Sequence, residues 1–169
     1  MSGRTEAAEI TQLRTRLLLE RAIDRRLDRL LRAAGRRVCL LRDDRAMREN
    51  QIRNVLDVAL SKSSLDVVTN FIRYQMGRSG GNQAWLHNNF GQKVVEDIES
   101  GMVPELAAEV AHEVCGEVPE ADRDGVTREA RLRLVRLYLG YLNRWFYYGF
   151  RTRRWDDIAA ATKEAGADV

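Results

Sequence analysis

Arginines, amides and one tyrosine recur at helical spacing through residues 50–78, NQIRNVLDVALSKSSLDVVTNFIRYQMGR. Guanidinium forks match phosphate oxygens and base edges, amides donate and accept hydrogen bonds, and an exposed ring can stack an unpaired base. In the first half Ile52, Val55, Leu56, Ala59 and Leu60 repeat as one apolar stripe, which turns Asn50, Arg53, Asn54 and Asp57 the other way. In the second half Val67, Val68, Phe71, Ile72 and Gln75 face inward, and Thr69, Asn70, Arg73, Tyr74, Gly77 and Arg78 face outward. That outward face holds two guanidinium groups and a ring without an acid. It suits a sugar–phosphate backbone and an unstacked base. The competing reading is a salt-bridged solvent face with Tyr74 half buried.

A second group of rings and cations lies near the C-terminus. Eight of the twelve aromatic residues fall between Tyr138 and Trp155, and Arg144, Arg151, Arg153 and Arg154 interleave with them. The interleaving suits a single strand of nucleic acid and adds Arg144 to the candidate set, although core packing accounts for most of the rings. Nothing comparable supports catalysis. His87 lies among amides with no ligand partner at metal spacing, and HEVCG at His112 lacks the second histidine of a zincin helix. Glu105, Glu109 and Glu113 form a row at i,i+4 and read as a solvated or interface face that needs cations opposite, from this chain or a neighbouring copy. Cys39 and Cys115 read as reduced and inert. No catalytic residue, metal or cofactor is expected, and the chain is read as not an enzyme.

These residues need helices to position them. Two prolines, helix-favouring composition and the lack of alternating apolar runs predict an all-α bundle of five to six helices. Residues 5–36 read as one long Arg-rich helix with a broken coiled-coil-like stripe (Ile10, Leu13, Leu17, Leu27, Leu31, Ala34), ended by Gly35. A helix start is placed at Ser63 or Ser64 with a Ser63–Asp66 capping box, a loop at 79–92 anchored by Trp85 and Phe90, a short helix opening at Pro104, and a long aromatic helix from Thr127. The resulting division is an Arg-rich helical extension at 1–44, a bundle domain at 45–155, and a short helix with a frayed tail at 156–169. No signal peptide or membrane span is read from the sequence, and a cytoplasmic location is expected.

Charge is segregated along the chain. Residues 1–53 carry fourteen arginines against eight acids, residues 54–125 five basic against twelve acidic residues, and residues 126–169 nine against five. Basic ends and an acidic middle predict a polyanion on one face and head-to-tail self-association through another. Arginine outnumbers lysine 25 to 3.

The segments QIRN (51–54), IRYQMGR (72–78) and RLYLGYLNRWFYY (136–148), in this order, resemble the small, all-helical subunit of type III CRISPR effector complexes. The resemblance spans residues 48–150; the Arg-rich extension and the 79–92 loop are longer than the family pattern. It implies a non-catalytic, RNA-binding subunit whose copies stack head to tail along the guide RNA–target RNA duplex and bridge the larger effector subunits. Residue by residue, it places Arg53 and Asn54 in the first motif and Arg73, Tyr74 and Arg78 in the second. Asn70 comes from helical spacing, and Arg144 from the interleaving of cations and rings. The alternative is a helical protein–protein adaptor or self-assembling scaffold without nucleic acid.

Overall fold

A computed structural model describes residues 2–78 and 83–163, with side chains from residue 6 onward. Within these residues the fold is all-α, as expected, and has no strand. It contains seven helices of ten residues or more and a final seven-residue helix, more than the five to six expected. They are α1 (Ser2–Asp24), α2 (Leu27–Val38), α3 (Glu49–Ser61), α4 (Leu65–Gly77), α5 (Phe90–Glu99), α6 (Met102–Val114), α7 (Arg123–Thr152) and α8 (Trp155–Ala161).

The thirty-residue α7, about 45 Å long at 1.5 Å per residue, is the central post. Its buried positions Ala130, Leu134, Tyr138, Leu142, Phe146 and Gly149 run down one side, and Val135 and Leu139 lie on another. Helices α2, α3 and α6 pack around it, which explains a sequence apolar nearly all round. α7 starts at Arg123, four residues before Thr127, and α6 starts two residues before Pro104.

The expected single helix over residues 5–36 is two helices. The backbone turns at Arg25–Arg26, where Arg26 has φ −109° and ψ −2°. No proline or glycine marks this break. It coincides with three arginines, Arg25, Arg26 and Arg29, all ion-paired to Glu109 and Glu113 of α6. Leu30, Ala34 and Val38 of α2 are fully buried, so the division at residue 44 does not coincide with any break in packing. Gly35 does not end the helix; it is buried inside α2. A Cβ there would stand 2.3 Å from Thr162 Cγ2 and 3.2 Å from Trp145 Nε1, so only glycine admits this close approach.

α3 and α4 form an antiparallel hairpin. α3 also runs antiparallel to α7: Arg136 donates to Ala59 O (2.9 Å) at one end, and Arg151 pairs with Glu49 (3.1 Å) at the other. α4 packs chiefly on α3 and α5, and so buries a narrower stripe than its sequence predicts. Ile52, Val55, Ala59, Val68, Ile72 and Gln75 are buried, Leu56 and Phe71 are half-buried, and Leu60 and Val67 are exposed. Thr69, expected to face outward, is buried. Ser64 rather than Ser63 is the N-cap of α4 and makes no side-chain cap bond, so the expected capping box does not form.

The expected loop at 79–92 is more ordered than its composition implies. Residues 83–85 and 87–89 form two 3-10 turns, α5 begins at Phe90, and residues 79–82 lie outside the described residues. Trp85 and Phe90 are buried, with ring centroids 5.4 Å apart, and anchor the segment as expected. Asn88 and Asn89 adopt φ 49° and 57°, left-handed values that asparagine tolerates better than most residues. The expected frayed tail, residues 166–169, lies outside the described residues. No helix among the described residues is long and apolar enough to cross a membrane.

Candidate nucleic-acid interface

The hairpin presents Arg53 and Asn54 from α3, and Asn70, Tyr74 and Arg78 from the outer side of α4, all exposed. Tyr74 is 57% exposed and touches Phe71 at a centroid distance of 6.3 Å, so one flank of its ring leans on the bundle while the rest meets solvent. Arg53 and Arg78 make no ion pair among the described residues. Arg78 follows Gly77 directly at the C-cap of α4, with extended backbone (φ −68°, ψ 111°).

Arg73 departs from the expectation. Its guanidinium binds both carboxylate oxygens of Glu99 at 2.8 Å each, and Nη1 also reaches Thr69 Oγ1 at 3.3 Å. These hydrogen bonds hold the Glu99 carboxyl below the ordinary carboxylate range and push Arg73 up. The outer face of α4 carries one acid of its own, Asp66 in its first turn, whose charge Arg73 feels, and α5 supplies the acid that binds Arg73 directly. Spacing within one helix could not show this. Arg73 therefore ties α4 to α5, and its charge is already met.

Arg144 belongs to α7. It is exposed, lies 5.7 Å from the centroid of the Tyr141 ring, and makes no hydrogen bond or ion pair with the hairpin residues. Along the same helix Arg151 lies 5.9 Å from the Tyr147 centroid, and Arg153 5.2 Å from that of Phe150. Tyr147 is 50% exposed. Positions 144, 147 and 151 share one side of α7 and form an exposed strip in which cations alternate with a ring.

Two members of the acidic row, Glu109 and Glu113, are answered from within the chain, while Glu105 is exposed without an ion pair among the described residues. Glu109 receives Arg29 at 2.8 Å and Arg26 at 3.3 Å, Glu113 receives Arg25 and Arg26, and Glu117 receives Arg14 at 2.6 Å. Arg29 and Arg26 hold Glu109 below the ordinary carboxyl value, and Arg26 and Arg25 do the same for Glu113. Carboxylates held charged in this way have no proton to give near neutrality. Cys39 is half-buried, and burial pushes its thiol up, away from nucleophilic use. Among the described residues no cluster of His, Cys, Asp or Glu side chains has metal-holding geometry.

Sequence reasoning missed a buried polar centre. Arg37 of α2 binds Asp97 of α5 through Nε (2.8 Å) and Nη2 (2.7 Å), and the hydroxyl of Tyr138 in α7 donates to the same carboxylate. Burial, and then the adjacent Asp97 charge, push the Tyr138 phenol well above its ordinary value, so it stays a donor. The available signal was Asp97 itself, an acid between Val94 and Ile98 on the apolar side of VVEDIE. The trio joins three helices. Comparison with protein-family models, with curated proteins and with solved structures gave no match for this chain.

Proposed function

We propose that this protein is a non-catalytic RNA-binding helical subunit, of the kind its motifs resemble: the small subunit of a type III CRISPR effector ribonucleoprotein. The observation that carries the reading is the α3–α4 hairpin, which exposes Arg53 and Arg78 without ion pairs among the described residues, together with the half-free ring of Tyr74. Without acid partners, such groups are free to meet phosphate and base. Arg144 with the exposed Tyr147 ring offers a second surface of related chemistry, in which Arg151 is already held by Glu49. Guide RNA, target RNA and the larger effector subunits are the proposed partners, and the cytoplasm the proposed location.

In those complexes copies stack head to tail. Here Glu109, Glu113 and Glu117 are already paired inside the chain. Stacking would therefore rest on other surfaces. Exposed Ile10, Leu13 and Leu17 on α1 form an apolar row. The same row supports the second reading, a protein–protein adaptor without nucleic acid.

Binding of single-stranded RNA across a salt series tests the proposal. Each phosphate contact contributes a little under one unit to the slope of log affinity against log salt, so Arg53→Ala with Arg78→Ala should flatten it by about two units. Tyr74→Ala should weaken binding by roughly 1–3 kcal/mol with little change of slope. Absence of RNA binding at low salt, or affinity indifferent to salt, would overturn the reading in favour of the adaptor.

A further inference from the structure

Three arginines without ion-pair partners among the described residues, two from the α2–α3 connection and one from the α7–α8 turn, line one cleft. The α2–α3 connection and the α7–α8 turn enclose a space of about 720 Å³, lined by Arg42, Arg45 and Arg48 on one side and by Phe150, Arg153 and Trp155 on the other. Arg42 is spent on Asp156. Arg45, Arg48 and Arg153 make no ion pair among the described residues. Two acids also line the cleft. Asp44 is nearly buried, and its Oδ2 accepts from the Ala46 and Met47 amides at 3.0 and 2.6 Å, which ties it to its own turn. Exposed Asp43 is left against three guanidinium groups.

Arg153 adds an independent observation. It closes α7 in the left-handed region (φ 61°, ψ 14°), where a side chain costs about 1–2 kcal/mol and glycine is the usual choice. Its guanidinium, held over the Phe150 ring, lines the cleft. Like charges gathered at a strained position are a feature that ligand sites show.

We propose that this cleft binds a phosphate group, held by Arg45, Arg48 and Arg153. Guanidinium forks bind tetrahedral oxyanions through paired, charge-assisted hydrogen bonds, and three of them compensate a dianion. Two sources carry that chemistry: the backbone of a polynucleotide and a small phosphorylated molecule. The inference does not depend on the RNA reading.

The test uses the full chain with two probes, pyrophosphate by calorimetry and single-stranded RNA by fluorescence anisotropy. It compares the parent with Arg45→Gln/Arg48→Gln and with Arg153→Gly. Neither variant removes an ion pair, and glycine relieves the backbone at 153, so circular dichroism should be unchanged. If both probes bind and each variant weakens both by about tenfold or more, the cleft is a phosphate site used by RNA. If pyrophosphate alone binds and is lost in the variants, the cleft proposal stands and the RNA reading falls. RNA binding that both variants leave intact, with no pyrophosphate uptake, overturns the cleft and keeps the RNA reading. Binding of neither probe overturns both.

Discussion

Asp97 shows what a single charge does inside a helical bundle. Its carboxylate takes three hydrogen bonds, two from Arg37 and one from Tyr138, each partner on a different helix. Removing one member of a buried pair leaves the other desolvated and uncompensated. Asp97→Asn should cost about 2–4 kcal/mol in urea unfolding, because Arg37 keeps its charge and loses its counter-ion. Tyr138→Phe should cost less, roughly 1 kcal/mol, because Arg37 still satisfies the carboxylate. Equal losses would mean that the pair with Arg37 contributes nothing beyond the phenol bond. At the surface the same chemistry divides the hairpin arginines: Arg73 holds two helices together, while Arg53 and Arg78 remain available.

Close approaches between elements set the positions of α2, α7 and α8. Gly35 admits Thr162 and Trp145, and a Cβ on Gly149 would meet the Trp155 ring at 2.6 Å. Gly35→Ala and Gly149→Ala should each destabilise by about 1–3 kcal/mol, since overpacking forces helices apart. A melting temperature equal to the parent's in either variant would show that α8 yields freely. The ion pairs joining α1 and α2 to α6 titrate in acid. Glu109 and Glu113 are lowered below the ordinary value of 4.5 by their arginines, so the folded state favours the charged form. Their contribution is complete above about pH 4.5 and is lost as pH falls through their lower folded values. The unfolding midpoint should therefore fall with acidity below pH 4.5, and less steeply in Glu109→Gln/Glu113→Gln. These groups are exposed, so the effect is modest and weakens with salt.

For the whole molecule, part of the charge asymmetry is met within the chain. The basic N-terminal segment and the acidic middle meet through Arg14–Glu117, the Arg25–Arg26–Arg29 group on α6, and Arg37–Asp97. Self-association driven by that complement should accordingly be weak. Light scattering at high protein concentration should show a mass that does not fall as salt is raised past roughly 0.15 M, where the Debye length is about 8 Å. Assemblies that form at low salt and dissolve there would show that the in-chain pairs open to serve a neighbour. An assembly insensitive to salt but lost on Leu13→Asp would point to the apolar row of α1.

Periodicity determined the fold class, the α3–α4 hairpin, the central aromatic helix, and the burial of Ile52, Val55, Ala59, Val68 and Ile72, because an apolar stripe at helical spacing has to be covered wherever it lies. Local chemistry also showed that Trp85 and Phe90 anchor their segment. What periodicity could not show is which neighbour does the covering. The break at Arg25–Arg26 coincides with ion pairs to carboxylates more than eighty residues further on, and Gly35 lies inside a helix where two other elements press against it. Leu60 and Val67 lie bare because α4 stands at the edge. Arg73 lost its freedom to Glu99 of another helix, and Arg45, Arg48 and Arg153 converge only once the α7–α8 turn folds back over the α2–α3 connection. A side chain's type and helical phase are local properties. Its partner is decided by contacts between residues far apart in the chain, which only the tertiary structure supplies.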